Sequence, residues 1–179
     1  MAEEKKRRGR RAWLDDYKAL ANGQIVYTGK VYAWSGSKPW KKEIALLWLH
    51  GGAAIVCAAA CGLMPVRSLT NTIYVILPWL LSFIGAGSVV WALCRMTHHG
   101  EELKEHIHKA TAAALPVRAA FTAVCATITV LGQAVYLILN GLGAAPWADI
   151  CFLPLMALAA VMTGFLFPRS RALPFALRP

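Results

Sequence analysis

The densest grouping of reactive side chains lies in the run THHGEELKEHIHK (97–109). It holds His98, His99, His106 and His108 together with Glu101, Glu102 and Glu105. If residues 101–115 are helical, Glu102 and His106 stand one turn apart, and with His99 they supply the imidazole and carboxylate donors of a transition-metal site. Gly100 interrupts a helix just where His99 has to be placed. The same segment has an apolar edge in Leu103, Ile107, Ala110 and Ala114. That edge favours an amphipathic helix lying on a membrane surface over a metal centre. Glu105 and Lys109 add a favourable i,i+4 pair. Haem ligation by His50 with His98 or His99 is the remaining use of these rings.

A second grouping is a polar stripe in an otherwise apolar region: Thr122, Thr129, Gln133, Tyr136 and Asn140. Their spacings of seven, four, three and four residues place them on one face of a helix at ~100° per residue. Lipid-facing polar groups are costly, so this face points into a helix bundle. The stripe serves either as hydrogen-bonding glue between helices, worth about 0.6 kcal/mol per contact, or as one wall of a wet path. Glue is the expected role.

Five cysteines, Cys57, Cys61, Cys94, Cys125 and Cys151, fall within or beside apolar runs. Cys57 and Cys61 do not have the C-x-x-C spacing of thiol oxidoreductases, and buried cysteine behaves as a small hydrophobe. No Ser/His/Asp grouping, P-loop or dinucleotide fingerprint occurs. No catalytic residue and no cofactor is implied.

The elements that must position these groups are four apolar stretches, 44–64, 73–93, 119–139 and 147–167. Their one acidic residue is Asp149, at the edge of the last, and they contain no Lys or Arg. A hydrocarbon core of about 30 Å takes about 20 helical residues, so each stretch is long enough to span once. With 58% hydrophobic residues the chain exceeds the ~45–50% of a soluble domain. Backbone groups in lipid must be satisfied within the segment, which favours helices, and the runs lack the alternation of a β-barrel. The expected fold is all-α: an integral membrane bundle of four transmembrane helices over 44–168. A short appendage (1–43) precedes it and a tail (169–179) follows.

Small residues mark the packing faces: Ala54, Ala58 and Gly62 on the first span, Ser82 and Ala86 on the second, Ala160 and Gly164 on the fourth. Pro154 lies inside the fourth span and is expected to kink it or to free a carbonyl one turn earlier. Four-span proton-coupled exporters need a carboxylate at mid-membrane. Here Glu43 reads as preceding the first span and Asp149 as lying near the surface.

Charge sets the expected orientation. Of nineteen Lys and Arg, eleven precede the first span, four lie between the second and third, and three follow the last; Arg67 alone lies in the other two loops. The positive-inside rule then places both termini and the middle loop in the cytoplasm. The first span reads as a retained signal-anchor, since its basic flank and apolar run are both too long for a secretory leader. No lipidation motif occurs.

Within 1–43, Lys5, Lys6, Arg7, Arg8, Arg10 and Arg11 form a basic tail suited to anionic headgroups. It lacks the interleaved aromatics of a nucleic-acid platform, so no specific nucleic acid is expected. Residues 12–21 suit a short helix, and 24–34 a hairpin turning at Thr28-Gly29. The string WLDDYKALANGQIVYTGKVYAW before four spans resembles a group of small bacterial membrane proteins with a G-x-x-V-Y-T-G-K-x-Y-type segment. The resemblance implies residence in the bacterial inner membrane; it carries no site residues.

Three functions fit these features. A non-enzymatic membrane scaffold or accessory subunit, partnered by lipids and by other membrane proteins or its own copies, fits best. A small transporter or channel component lined by the stripe is second. A metal- or haem-binding protein using the histidine loop is third.

Overall fold

Four helices long and apolar enough to cross a membrane dominate the structure, a computed structural model that describes residues 16–19 and 24–178. They are α1 (Trp40–Leu63), α3 (Ile73–His99), α5 (Leu115–Asn140) and α6 (Pro146–Arg171). A one-turn helix α2 (Ser68–Asn71) sits in the first loop, and α4 (Glu105–Ala110) precedes α5. Among the described residues there are also five short strands: β1 (Tyr17–Ala19), β2 (Ile25–Tyr27), β3 (Val31–Trp34), β4 (Glu102–Lys104) and β5 (Phe175–Leu177).

Local chemistry sets the helix ends. α1 starts directly after Pro39, and Pro116 and Pro146 occupy the first turns of α5 and α6, where a missing N–H costs nothing. Gly100 and Gly141 follow α3 and α5 with φ of 69° and 70°. Their amides close the last turns onto Met96 O and Leu137 O, at 3.0 and 2.9 Å. α6 runs without a break through Pro154, and α3 likewise contains Pro78.

The spanning helices form a ring in which α1 packs on α3, α3 on α5, α5 on α6, and α6 back on α1. Outward faces carry exposed apolar side chains such as Val56, Ile84, Val124, Leu131, Ile150 and Val161, as a lipid contact requires. The inside holds two apolar clusters. One, at the end bearing the strands, joins Leu47, Leu93, Met96, Leu115 and Leu166; the other, at the loop end, joins Cys61, Val66, Phe152 and Met156.

Small residues permit the close approaches. The Trp79 indole of α3 lies over Gly62 and donates to Ala58 O of α1 at 3.0 Å. Gly85 of α3 faces Thr122 of α5. Gly132 of α5 faces Tyr74 O, the carbonyl that Pro78 deprives of its helical donor four residues on. The expected Ala160/Gly164 face differs: Gly164 is exposed and has open space beside it. Its small side borders the membrane rather than a neighbouring helix.

The strands build a cap at one end of the bundle. β3 is the centre of an antiparallel sheet in the order β4-β3-β5, with Ala33 opposite both Glu102 and Ala176. The N-terminal segment, the middle loop and the C-terminal tail are thus joined on one side. Three expectations change here. Tyr17–Ala19 is a strand rather than part of a helix, pairing with β2 in a separate ribbon. Residues 24–34 do not form a hairpin, because β2 pairs with β1 while β3 finds its partners far along the chain. Residues 101–115 are not one surface helix: β4 takes up the first part, and Leu103 and Ile107 plug the apolar cluster of the bundle instead of lying in lipid. Trp34, Trp40 and Phe175 seal the joint, with ring centres 5.3 to 5.7 Å apart.

Candidate functional site

The polar stripe of α5 lies inside the bundle as expected of its spacing. Thr122, Thr129 and Gln133 are at most 1% exposed, and Tyr136 is 7% exposed. Their hydrogen bonds turn inward. Thr122 Oγ1 donates to Arg118 O at 2.8 Å and Thr129 Oγ1 to Cys125 O at 2.9 Å, each on its own helix. Asn140, exposed at the loop end, donates from Nδ2 to Tyr136 O at 3.1 Å. Back-bonded threonines present little polarity to a lumen.

Gln133 is the exception, because its partner comes from outside the helix. Ser68 Oγ on α2 donates to Gln133 Oε1, while Gln133 Nε2 is buried with no protein partner. At the same end Asp149 is 1% exposed in the first turn of α6. Its Oδ2 accepts from Gly143 N at 2.8 Å, and its Oδ1 is buried without a protein partner. The positive end of the helix dipole favours a carboxylate at this point. Beside these groups a groove of about 330 Å³ is lined by Pro65, Val66, Arg67, Thr70, Gly143 and Ala145.

Two of these residues escaped the sequence reading. Ser68 carries no periodic signal. Asp149, taken as a surface residue, shares the spacing of Phe152, Met156, Ala159 and Thr163, which is the buried face of α6. That period was the available clue. Glu43 is likewise within α1, 9% exposed, and not ahead of the helix.

The histidine loop is put to structural use. Glu102 is on a strand and His106 on a helix, so the one-turn spacing that a site with His99 required does not exist. Among the described residues no three His, Cys, Asp or Glu side chains gather as a metal site would need. His108 stacks on Tyr32 at 4.2 Å between ring centres and meets Phe175 edge-on. His106 meets Tyr27 edge-on at 6.4 Å. His50 Nδ1 lies 2.6 Å from Leu46 O of its own helix. Lys104 binds the β1–β2 ribbon to the cap, donating to the Tyr17 hydroxyl at 3.1 Å with its ammonium 5.0 and 5.1 Å from the Tyr17 and Tyr27 ring centres. The basic tail, Lys5 to Arg11, lies outside the described residues.

Compared with known protein families, curated proteins and solved structures, the chain matches none. The class that the fold defines is a multi-pass membrane protein with a four-helix bundle and a small capping sheet.

Proposed function

We propose that this protein is a non-enzymatic scaffold or accessory subunit of a bacterial cell membrane, with both termini in the cytoplasm. The observation that carries the reading is the back-bonded stripe: Thr122 and Thr129 donate to carbonyls of their own helix and, with Gln133, are shielded from solvent, which favours packing over the lining of a path. The exposed surfaces are instead a lipid-facing apolar belt and a capping sheet with two outer strands. The cap supports the orientation, since β3 gathers all three lysine- and arginine-rich segments at one end. Partners are anionic headgroups together with other membrane proteins or a second copy.

A second reading, a small-ligand transport component, draws on one observation: Gln133 Nε2 and Asp149 Oδ1 are both buried without a protein partner at the loop end.

Single cysteines at positions 129, 133, 136 and 140, in a background lacking the native five, separate the two. A water-soluble thiol reagent is expected to label position 140 and to leave 129 and 133 unmodified, as it leaves the membrane-facing controls 131 and 135. Labelling that continues down the stripe to 129 replaces the scaffold reading with a pore or transporter.

A further inference from the structure

One lipid-facing surface of the bundle carries charge without a counter-charge. Trp91 of α3 is 48% exposed. The Arg95 guanidinium, one turn further along α3, lies 5.2 Å from the Trp91 ring centre, and that of Arg118 on α5 lies 5.1 Å from the same ring. Arg118 is held in place by two backbone carbonyls, donating from Nη1 to Ser88 O at 2.8 Å and from Nη2 to Ala110 O at 3.1 Å. None of the ion pairs among the described residues includes either arginine. Both stand one turn from the cap end of their helices, where α3 finishes and α5 begins.

We infer that Arg95, Arg118 and Trp91 form a binding site for one anionic phospholipid of the cap-side leaflet. Two guanidiniums with donors to spare match the oxygens of a phosphodiester, and their planar forks recognise it with defined geometry. The indole sits at the headgroup level, where tryptophan favours a membrane boundary. A lipid, rather than a soluble phosphate, is the occupant because the site opens onto apolar surface. Phe121, one turn past Arg118 along α5, and Ile84, two turns back along α3 from Trp91, are 46% and 57% exposed. These side chains continue from the charged site toward the bilayer centre and give acyl chains a surface to follow. Two cations that enter no ion pair among the described residues favour a headgroup of net negative charge over a zwitterionic one. The inference requires that the helices sit in a bilayer, and it stands or falls separately from the scaffold reading.

The test is native mass spectrometry of the full chain in neutral detergent, titrated with phosphatidylglycerol and separately with phosphatidylcholine. The first phosphatidylglycerol should bind more tightly than phosphatidylcholine. Arg95→Gln should weaken it about fivefold, the effect of one interfacial basic residue. Arg171→Gln, which removes the same charge from an exposed position at the end of α6, should leave it unchanged. Arg118→Gln should weaken binding at least as much, but Arg118 also braces the start of α5, so Arg95→Gln is decisive. Equal affinity for the two lipids, an unaltered Arg95→Gln variant, or an equal loss in Arg171→Gln would overturn the site. Displacement of the lipid by millimolar glycerophosphate would overturn the choice of a lipid occupant.

Discussion

The Arg169 guanidinium of α6 meets the Glu43 carboxylate of α1 in a two-point contact, Nε 3.1 Å from Oε2 and Nη2 3.3 Å from Oε1. The two residues are 126 positions apart, and the pair joins the first and last spanning helices at the cap end. The carboxylate side is 11% exposed and the guanidinium side 31%, with Lys38 a further 3.9 Å from Glu43. A groove of about 360 Å³ opens beside the pair, bordered by Trp34, Lys38, Leu173 and Pro174.

Breaking that pair should loosen the ring of helices. A fully buried pair costs about 3–5 kcal/mol when one partner is removed and a surface pair about 0–1. The partial exposure of Arg169 puts Glu43→Gln and Arg169→Met between them, at about 1–3 kcal/mol. Thermal unfolding in detergent should show both single variants melting earlier than the parent. The double variant should be less destabilised than the sum of the two. Strict additivity would mean that the contact contributes nothing.

Glycine positions within the spans should respond in opposite directions. A methyl group at Gly132 would stand 2.9 Å from Tyr74 O, a backbone atom that cannot move aside, so Gly132→Ala should cost about 1–3 kcal/mol by overpacking. Gly87 and Gly164 have open space beside them, and there alanine should be neutral or stabilising by up to about 1 kcal/mol. Melting of the three variants side by side checks the packing of α3 on α5.

Ser68→Ala should be the more damaging change at the loop-end polar centre. It leaves both polar atoms of a buried amide unsatisfied, at about 1–3 kcal/mol. Gln133→Leu removes the amide altogether, leaves only the Ser68 hydroxyl to find another acceptor, and should cost less. Combining the two should recover part of the loss. If Gln133→Leu is the worse variant, the amide has a role beyond joining α5 to α2.

The capping sheet predicts a cross-link. Ala33 and Ala176 are antiparallel partners; such Cα atoms stand about 4.5–5.5 Å apart, within reach of a disulfide. With the native cysteines removed, Ala33→Cys/Ala176→Cys should oxidise. After cleavage at a protease site placed in the loop between α5 and α6, the two fragments should stay together until reduced. Separation without reductant would show that the tail does not pair with β3.

The orientation is tested independently of the cap. A reporter fused after Pro179 that is active only in the cytoplasm should be active, and a cysteine in place of Thr70 should be labelled from outside. The reverse pattern in both assays would overturn the charge argument.

The spanning helices were legible in the sequence because hydrophobicity is a property of each segment by itself. At the loop end the observed limits, Leu63, Ile73, Asn140 and Pro146, lie within one residue of the apolar runs. At the cap end every helix continues for about one turn or more past its apolar run, through Trp40, His99, Leu115 and Arg171. Those polar turns are held by neighbours, such as Glu43 by Arg169, that no local pattern reveals. The stripe of α5 was readable for the same reason as the spans: helical period sorts its residues onto one face. The strands were not. β3 is four residues long, and its partners lie about 70 and 140 positions further on. Its pairing is decided only when the bundle brings the middle loop and the tail to the same end. Sequence therefore determined which segments cross the membrane and which face of α5 turns inward. Tertiary structure decided what those inward groups meet, which acidic residues are buried, and how three distant segments close one end of the bundle. Non-local contacts leave no periodic trace in the segments that make them.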